Sequence, residues 1–178
     1  MREIIYSAAC SLDGFIAGPH GEIDWIDSGP DARRYLAELW PTIDTLIMGR
    51  KTYVDSLAYA GDGNDTAIPG VESYVFSRTL ERVQGTRTHL VRDDAAGFVR
   101  RLKAQPGKRI FLFGGGVFAR AMFEAGLVDE IGISVHPVLL GSGTPLFVDP
   151  GRRISLQLSA ERPMDGRCVL LHYRVTHA

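Results

Sequence analysis

A chain of 178 residues that is 45% hydrophobic and 23% charged can bury a core as one domain and is too apolar to stay disordered. Twenty lysines and arginines against 21 acids leave a net charge of −1, which excludes the global basic field of a nucleic-acid binder, so recognition of phosphate has to be local. No apolar run reaches the roughly 18 residues of a membrane span and Met1–Ser7 reads as a strand start rather than a signal peptide, so the cytoplasm is the expected compartment.

Residues 3–11 read as a buried strand, followed by Leu12-Asp13-Gly14-Phe15 and a loop through Pro19. Ser28-Gly29-Pro30-Asp31 has the form of a helix start, Tyr35, Leu36, Leu39 and Trp40 continue it at helical spacing, and Pro41 stops it. A strand over 43–48 runs into a helix at 50–57, and 60–70 is a loop rich in Gly, Asp and Asn. Short strands follow at 71–76 and 88–91, then a helix capped by Asp93 or Asp94 and carrying Phe98, Val99 and Leu102. After an apolar strand ending in Gly114-Gly115-Gly116 come an amphipathic helix, a strand at about 128–135, and a hairpin of 154–162 with 167–176 turned at Asp165-Gly166. Strand–helix alternation that finishes in antiparallel strands predicts an α/β domain over residues 1–178, with helices on both faces of a mixed sheet. Cys10 and Cys168 are expected to be buried free thiols, and the histidines form no cluster at ligand spacing, so no metal is expected.

Two strand-to-helix junctions carry the chemistry. Met48-Gly49-Arg50-Lys51-Thr52-Tyr53 and Phe113-Gly114-Gly115-Gly116-Val117-Phe118 each end an apolar strand on glycine and open a helix. Helix starts offer unpaired N–H groups to phosphate, and two of them suit a ligand with several phosphates, such as a dinucleotide. The second junction satisfies G-x-G-x-x-A, yet the region about twenty residues on, Ser134-Val135-His136-Pro137, lacks the acid that holds a ribose in the Rossmann arrangement.

Together with Ser11-Leu12-Asp13-Gly14-Phe15-Ile16-Ala17, Phe76-Ser77-Arg78 and Pro137-Val138-Leu139-Leu140-Gly141-Ser142-Gly143-Thr144-Pro145-Leu146-Phe147, these junctions resemble the dihydrofolate reductase superfamily. The resemblance is strongest to its branch related to the C-terminal reductase domain of bifunctional riboflavin-biosynthesis proteins. It implies a single dihydrofolate reductase-like domain with a central, mostly parallel sheet flanked by helices and a C-terminal antiparallel hairpin. It further implies NADPH-dependent reduction of a pyrimidine or pterin-like compound, with 5-amino-6-(5-phosphoribosylamino)uracil reduction as the named activity. Dihydrofolate reduction and non-catalytic NADPH sensing are the alternatives.

On the same resemblance, Gly114, Gly115, Gly116 and Val117 would lie against the pyrophosphate, with Gly49 and Thr52 supplying donors at the first helix start. Arg50, Ser77 and Arg78 would take the 2′-phosphate, since cations there favour NADPH over NADH. Ala9 and Ile16 would flank the nicotinamide, and Phe15, Tyr35 and Ser134 would meet the substrate. Asp13 and Asp31 are the two carboxylates available to a proton transfer, although Asp13 can equally order its turn and Asp31 can equally be an N-terminal helix charge. Phe15 stands where the riboflavin branch commonly has a basic residue. A homodimer is expected, through the edge offered by the hairpin.

Overall fold

The structure, a computed structural model, describes residues 1–26, 29–60, 68–149, 151–165 and 167–176. Two readings therefore lie partly outside the described residues: Ser28 of the first helix start, and most of the 60–70 loop. Gly166 of the hairpin turn lies outside them too, but Asp165 before it has a φ of +49°, as a tight turn of this kind requires.

Apolar strand sequences make the centre of the molecule. β1 (Ile4–Ser11), β3 (Ile43–Gly49), β4 (Glu72–Phe76), β5 (Thr88–Val91), β6 (Arg109–Phe113) and β7 (Glu130–His136) are all parallel. β9 (Ser155–Met164) and β10 (Cys168–Thr176) form the antiparallel hairpin that completes one eight-stranded sheet, in the order β5-β4-β3-β6-β1-β7-β10-β9. Parallel strands buried on both faces read as continuous apolar runs, which is why Ile4-Ile5-Tyr6 and Ile110-Phe111-Leu112 contain no polar residue.

Helices cover both faces, as the strand–helix alternation requires. On one side α1 (Pro30–Leu39) and α2 (Arg50–Ala60) bring Leu39 and Tyr53 onto Ile5, Leu46, Met48 and Phe111. On the other, α3 (Ala95–Ala104) and α4 (Gly116–Glu124) pack Val99, Leu102, Met122 and Phe123 onto Ile4, Tyr6, Ile47 and Leu112. Of the two aspartates available to cap α3, Asp94 does so, accepting from the N–H groups of Ala96 and Gly97 at 3.1 Å each. Buried Lys103 closes the far end of α3 by donating to the Leu127 carbonyl at 2.9 Å and pairing with Asp129, which also accepts from the Ile4 N–H.

Two pieces of structure exceed the sequence reading. β2 (Phe15–Ala17) and β8 (Thr144–Pro145) pair as a small second sheet where the sequence reads as loop. Runs of three and two residues are too short to show a period. α1 also ends in a 3-10 turn over Trp40–Thr42 rather than stopping outright at Pro41. Cys10 and Cys168 are both buried thiols outside any disulfide, as expected.

Candidate functional site

The arrangement of the two glycine junctions decides where a ligand can sit. β3 and β6 are parallel neighbours in register Met48↔Phe113, so both junctions leave the same edge of the sheet side by side. They also touch. Gly114 has φ +84°, and a Cβ there would collide with the Thr52 hydroxyl of the first junction. A Cβ on Gly49 would stand 3.0 Å from the Cβ of Phe118 in α4. Such approaches are open only to residues without a side chain. The starts of α2 and α4 therefore lie side by side at one end of the sheet. Gly116, also in the left-handed region at φ +68°, faces open space, and Val117 beside it is 79% exposed.

Ile16 packs against the second junction. It comes from β2, half-buried, and a Cβ on Gly115 would lie 2.7 Å from its Cδ1. The Leu146 N–H donates to the Gly14 carbonyl at 2.8 Å, and the Tyr6 hydroxyl donates to the Leu146 carbonyl at 3.0 Å. The 12–17 turn is thus held between β1 and the 137–147 segment. Ala9 lies within, paired with Ser134 across β1 and β7.

Asp13 works inside the same staple. Its carboxylate accepts from the Ser11 hydroxyl at 2.6 Å and from the N–H groups of Leu140 and Gly141 at 3.1 and 2.7 Å. These bonds, the Ser11 hydroxyl first, hold its pKa below the usual carboxylate range. These bonds tie the 11–14 turn to the 140–141 backbone. Asp31 is likewise engaged: it pairs with Arg34 and accepts from the Asp165 N–H at 2.9 Å, while Asp165 accepts from the Asp31 N–H at 2.9 Å. That exchange ties the first turn of α1 to the hairpin turn.

A cationic corner sits at the ends of β3, β4 and β5. Arg50 donates to the Thr79 hydroxyl at 3.0 Å, and Ser77 Oγ accepts from the N–H groups of Thr79 and Leu80 at 3.2 and 3.0 Å. Arg92 donates to the Arg78 and Glu81 carbonyls at 3.5 and 3.0 Å. Among the described residues none of Arg50, Arg78 and Arg92 has a carboxylate partner, whereas Arg34, Lys51 and Arg120 each have one within a turn of helix. The three arginines follow the ends of three neighbouring parallel strands, and cations placed there without a counter-ion suit an anion. Thr79 and Arg92 are absent from the sequence reading. Thr79 was findable as the next hydroxyl after Ser77-Arg78, but Arg92 enters only because β5 pairs with β4.

On the α1 side of the sheet, Ser134 Oγ lies 3.4 Å from His136 Nε2, and the buried His136 ring meets Trp25 edge-on at 5.5 Å. Phe15 is half-buried in β2 opposite Pro145. Tyr35 is not laid open as a stacking platform; its ring meets His172 edge-on at 5.6 Å and its hydroxyl packs over Gly132.

His172 supplies a test of this packing. Burial, then the charges of Arg109 and Arg162, pushes its pKa below the ordinary imidazole value of 6.5. The unfolded chain therefore takes up a proton that the folded chain refuses, so this contribution to stability is complete at neutral pH and declines as pH falls below about 6.5. His172→Gln is expected to flatten the pH dependence of the urea midpoint between about pH 6.5 and 5. An unchanged slope would place the sensitivity elsewhere.

Residues 2–170 match the RibD C-terminal domain family. The chain belongs to that family. It is 35% identical to the uncharacterized protein YyaP of Bacillus subtilis, over 97% of this chain and 94% of that protein. It is 34% identical to YwjB of the same organism, over 97% of each chain. Among solved structures, a putative riboflavin biosynthesis protein from Shewanella sp. PV-4 superposes with a TM-score of 0.85 at 26% identity, covering 98% of this chain and 99% of that one. The dihydrofolate reductase of Enterococcus faecalis, solved as a complex with NADP(H), superposes with a TM-score of 0.69 at 17% identity over 98% and 97% of the two chains. The fold of this RibD C-terminal domain is therefore dihydrofolate reductase-like, as the sequence resemblance implied. No helix among its described residues is long and apolar enough to cross a membrane.

Proposed function

We propose that this RibD C-terminal domain is an NADPH-dependent reductase of a flat pyrimidine or pterin-like heterocycle. The observation that supports the reading is the contact of two helix starts through Gly114 and Thr52, with Arg50, Arg78 and Arg92, none of them with a carboxylate partner among the described residues, at the ends of the neighbouring strands. The pyrophosphate would lie against Gly114, Gly115, Gly116 and Val117, and the 2′-phosphate against Arg50, Ser77 and Arg78. The nicotinamide would lie between Ala9 and Ile16, with the acceptor ring beyond it, toward Phe15, Ser134 and Tyr35. The bound NADPH would supply the hydride; the protein would orient the two rings and exclude water.

Reduction of C=N or C=O also needs a proton. Asp13 accepts hydrogen bonds from three donors and Asp31 is paired with Arg34, so an ordered water suits the proton delivery better than either acid. The named riboflavin intermediate carries a phosphoribosyl group. Phe15, in the position where that branch commonly has a cation, favours a heterocycle without that phosphate.

The test is a titration of the purified chain with NADPH and NADH, followed by turnover against a panel of pyrimidines and pterins with and without a ribosyl phosphate. Tight NADPH binding with oxidation in the presence of one panel member is expected. NADPH binding without any turnover would convert the reading to a sensor of the same fold, and equal binding of both nucleotides would remove the role of the cationic corner.

A further inference from the structure

A seam of polar groups runs under α1, at the middle of the sheet. Alternation puts Ile5, Ser7 and Ala9 of β1 and Gly132, Ser134 and His136 of β7 on the α1 side, since Ile5 packs with Leu39 while Tyr6, Ile131 and Ile133 join the α3–α4 cluster. β1 is an interior strand and its Ile5 and Tyr6 are fully buried, yet Ser7, Ala9 and Ser134 are only half-buried, so space is left over them. Pairing of Ser7 with Gly132 and of Ala9 with Ser134 sets the two serines one residue pair apart along this opening.

Three polar residues meet over Gly132. A Cβ there would stand 3.2 Å from Tyr35 Oη, 3.2 Å from His172 Cε1 and 3.4 Å from Ser7 Oγ. Gly132 has no positive φ, so the position requires room rather than an unusual backbone. The Tyr35 hydroxyl is buried and makes no hydrogen bond of good geometry among the described residues. A hydroxyl left in that state costs stability, and phenylalanine would remove the cost. Burial raises its pKa, against the Ser7 hydroxyl and the charges of Arg109 and Arg162, so it stays a neutral hydroxyl that both gives and takes hydrogen bonds. Behind Tyr35 and His172 a cleft of about 450 Å³ opens between α1 and the hairpin, with the exposed pair Glu38 and Arg162 on its rim. Glu130, the first residue of β7, also lines it, so the cleft lies toward the end of the sheet away from the glycine junctions.

We propose that Tyr35 and Ser7 pass protons from this rear cleft to the acceptor pocket, with Gly132 keeping the passage open. The proposal rests on the reductase reading and gives its ordered water a source of protons. The C=N or C=O bond takes the hydride at carbon and a proton at nitrogen or oxygen; the acceptor is reduced and the nicotinamide oxidised. The proton comes from a water at Ser134, which is recharged by the Ser7 hydroxyl, Ser7 by Tyr35, and Tyr35 by water in the cleft. Each hydroxyl gives one proton and takes one, so both end unchanged and the solvent supplies the net proton. Neither residue touches the reacting atoms; both position the path. Protons would thus enter from behind while the stacked rings exclude water in front.

Two measurements test it. The first needs no acceptor: with tyrosine carbon-labelled at Cζ and the chain in an equal mixture of light and heavy water, Tyr35 is expected to give one exchange-averaged NMR signal. Two resolved signals, from a hydroxyl sealed off from solvent, would overturn the relay and leave the reductase reading untouched. The second is NADPH oxidation with the pyrimidine and pterin panel. Tyr35→Phe is expected to lower kcat by about 10²-fold, with KM and NADPH affinity within about threefold, because proton transfer and not binding is lost. Its melting temperature should not fall, and its solvent deuterium isotope effect on kcat should rise. Ser7→Ala is expected to behave alike, while Ser7→Thr, which keeps a hydroxyl, recovers most of kcat, as a role in packing would not predict. Unchanged kcat in Tyr35→Phe and Ser7→Ala would overturn the relay alone. A wild type that turns over no member of the panel would remove the reaction, and the relay with it.

Discussion

Gly114→Ala is expected to abolish measurable NADPH binding and to lower the melting temperature by about 5–15 °C. The backbone there sits at φ +84°, which costs a residue with a Cβ about 1–2 kcal/mol. The added methyl would also press on the Thr52 hydroxyl, and overpacking of this kind costs about 1–3 kcal/mol more. For a chain of this length, each kcal/mol moves the midpoint by about 2–4 °C. Relief of the clash would separate the two junctions and so the two sets of phosphate donors. Gly116→Ala is the control. Its φ of +68° carries the same backbone cost, but nothing lies within 4 Å of the new Cβ, so the chain should keep most of its stability while the methyl intrudes where the ligand approaches. Differential scanning calorimetry with nucleotide titration reads both quantities. If Gly114→Ala bound NADPH like the wild type, the junctions would not form the site.

Removing the cations should change the choice of nucleotide more than the fold. Arg50→Ala with Arg78→Ala is expected to weaken NADPH by about 10²- to 10⁴-fold and NADH by less than about threefold. A charge-assisted hydrogen bond to a phosphate contributes about 1.5–3 kcal/mol, and each 1.4 kcal/mol is a factor of ten. NADH lacks the 2′-phosphate and has nothing to lose at that corner. Both side chains are exposed and free of carboxylate partners among the described residues, so stability should barely move. Raising the ionic strength should reduce the discrimination in the wild type and leave the double variant almost unaffected. Equal losses for both nucleotides would instead show that Arg50 acts at the pyrophosphate.

Local signals in the sequence settled most of the elements, though not the short β2 and β8. Apolar runs such as Ile4-Ile5-Tyr6 and Ile110-Phe111-Leu112 fixed the buried strands, because a strand covered on both faces admits no alternation. Pro30 marked the start of α1 through its missing donor, and Asp93 or Asp94 that of α3 through a capping oxygen, with Asp94 the one that caps. The two glycine junctions were equally legible, since only a close backbone approach explains three glycines in a row after an apolar strand.

What tertiary structure alone decided is which of these pieces meet. Nothing local to Gly114 reveals that the Thr52 side chain, some sixty residues earlier, fills the space its Cβ would take; that follows from β3 and β6 being neighbours. Asp13 stood out by its sequence context, but the N–H groups of Leu140 and Gly141 from which its carboxylate accepts are brought to it only by the fold. Arg92 joins Arg50 and Arg78 through the pairing of β4 with β5. Periodicity and capping act over a few residues of chain, whereas the order of strands is chosen by the burial of the whole sheet, and a composite site inherits that choice.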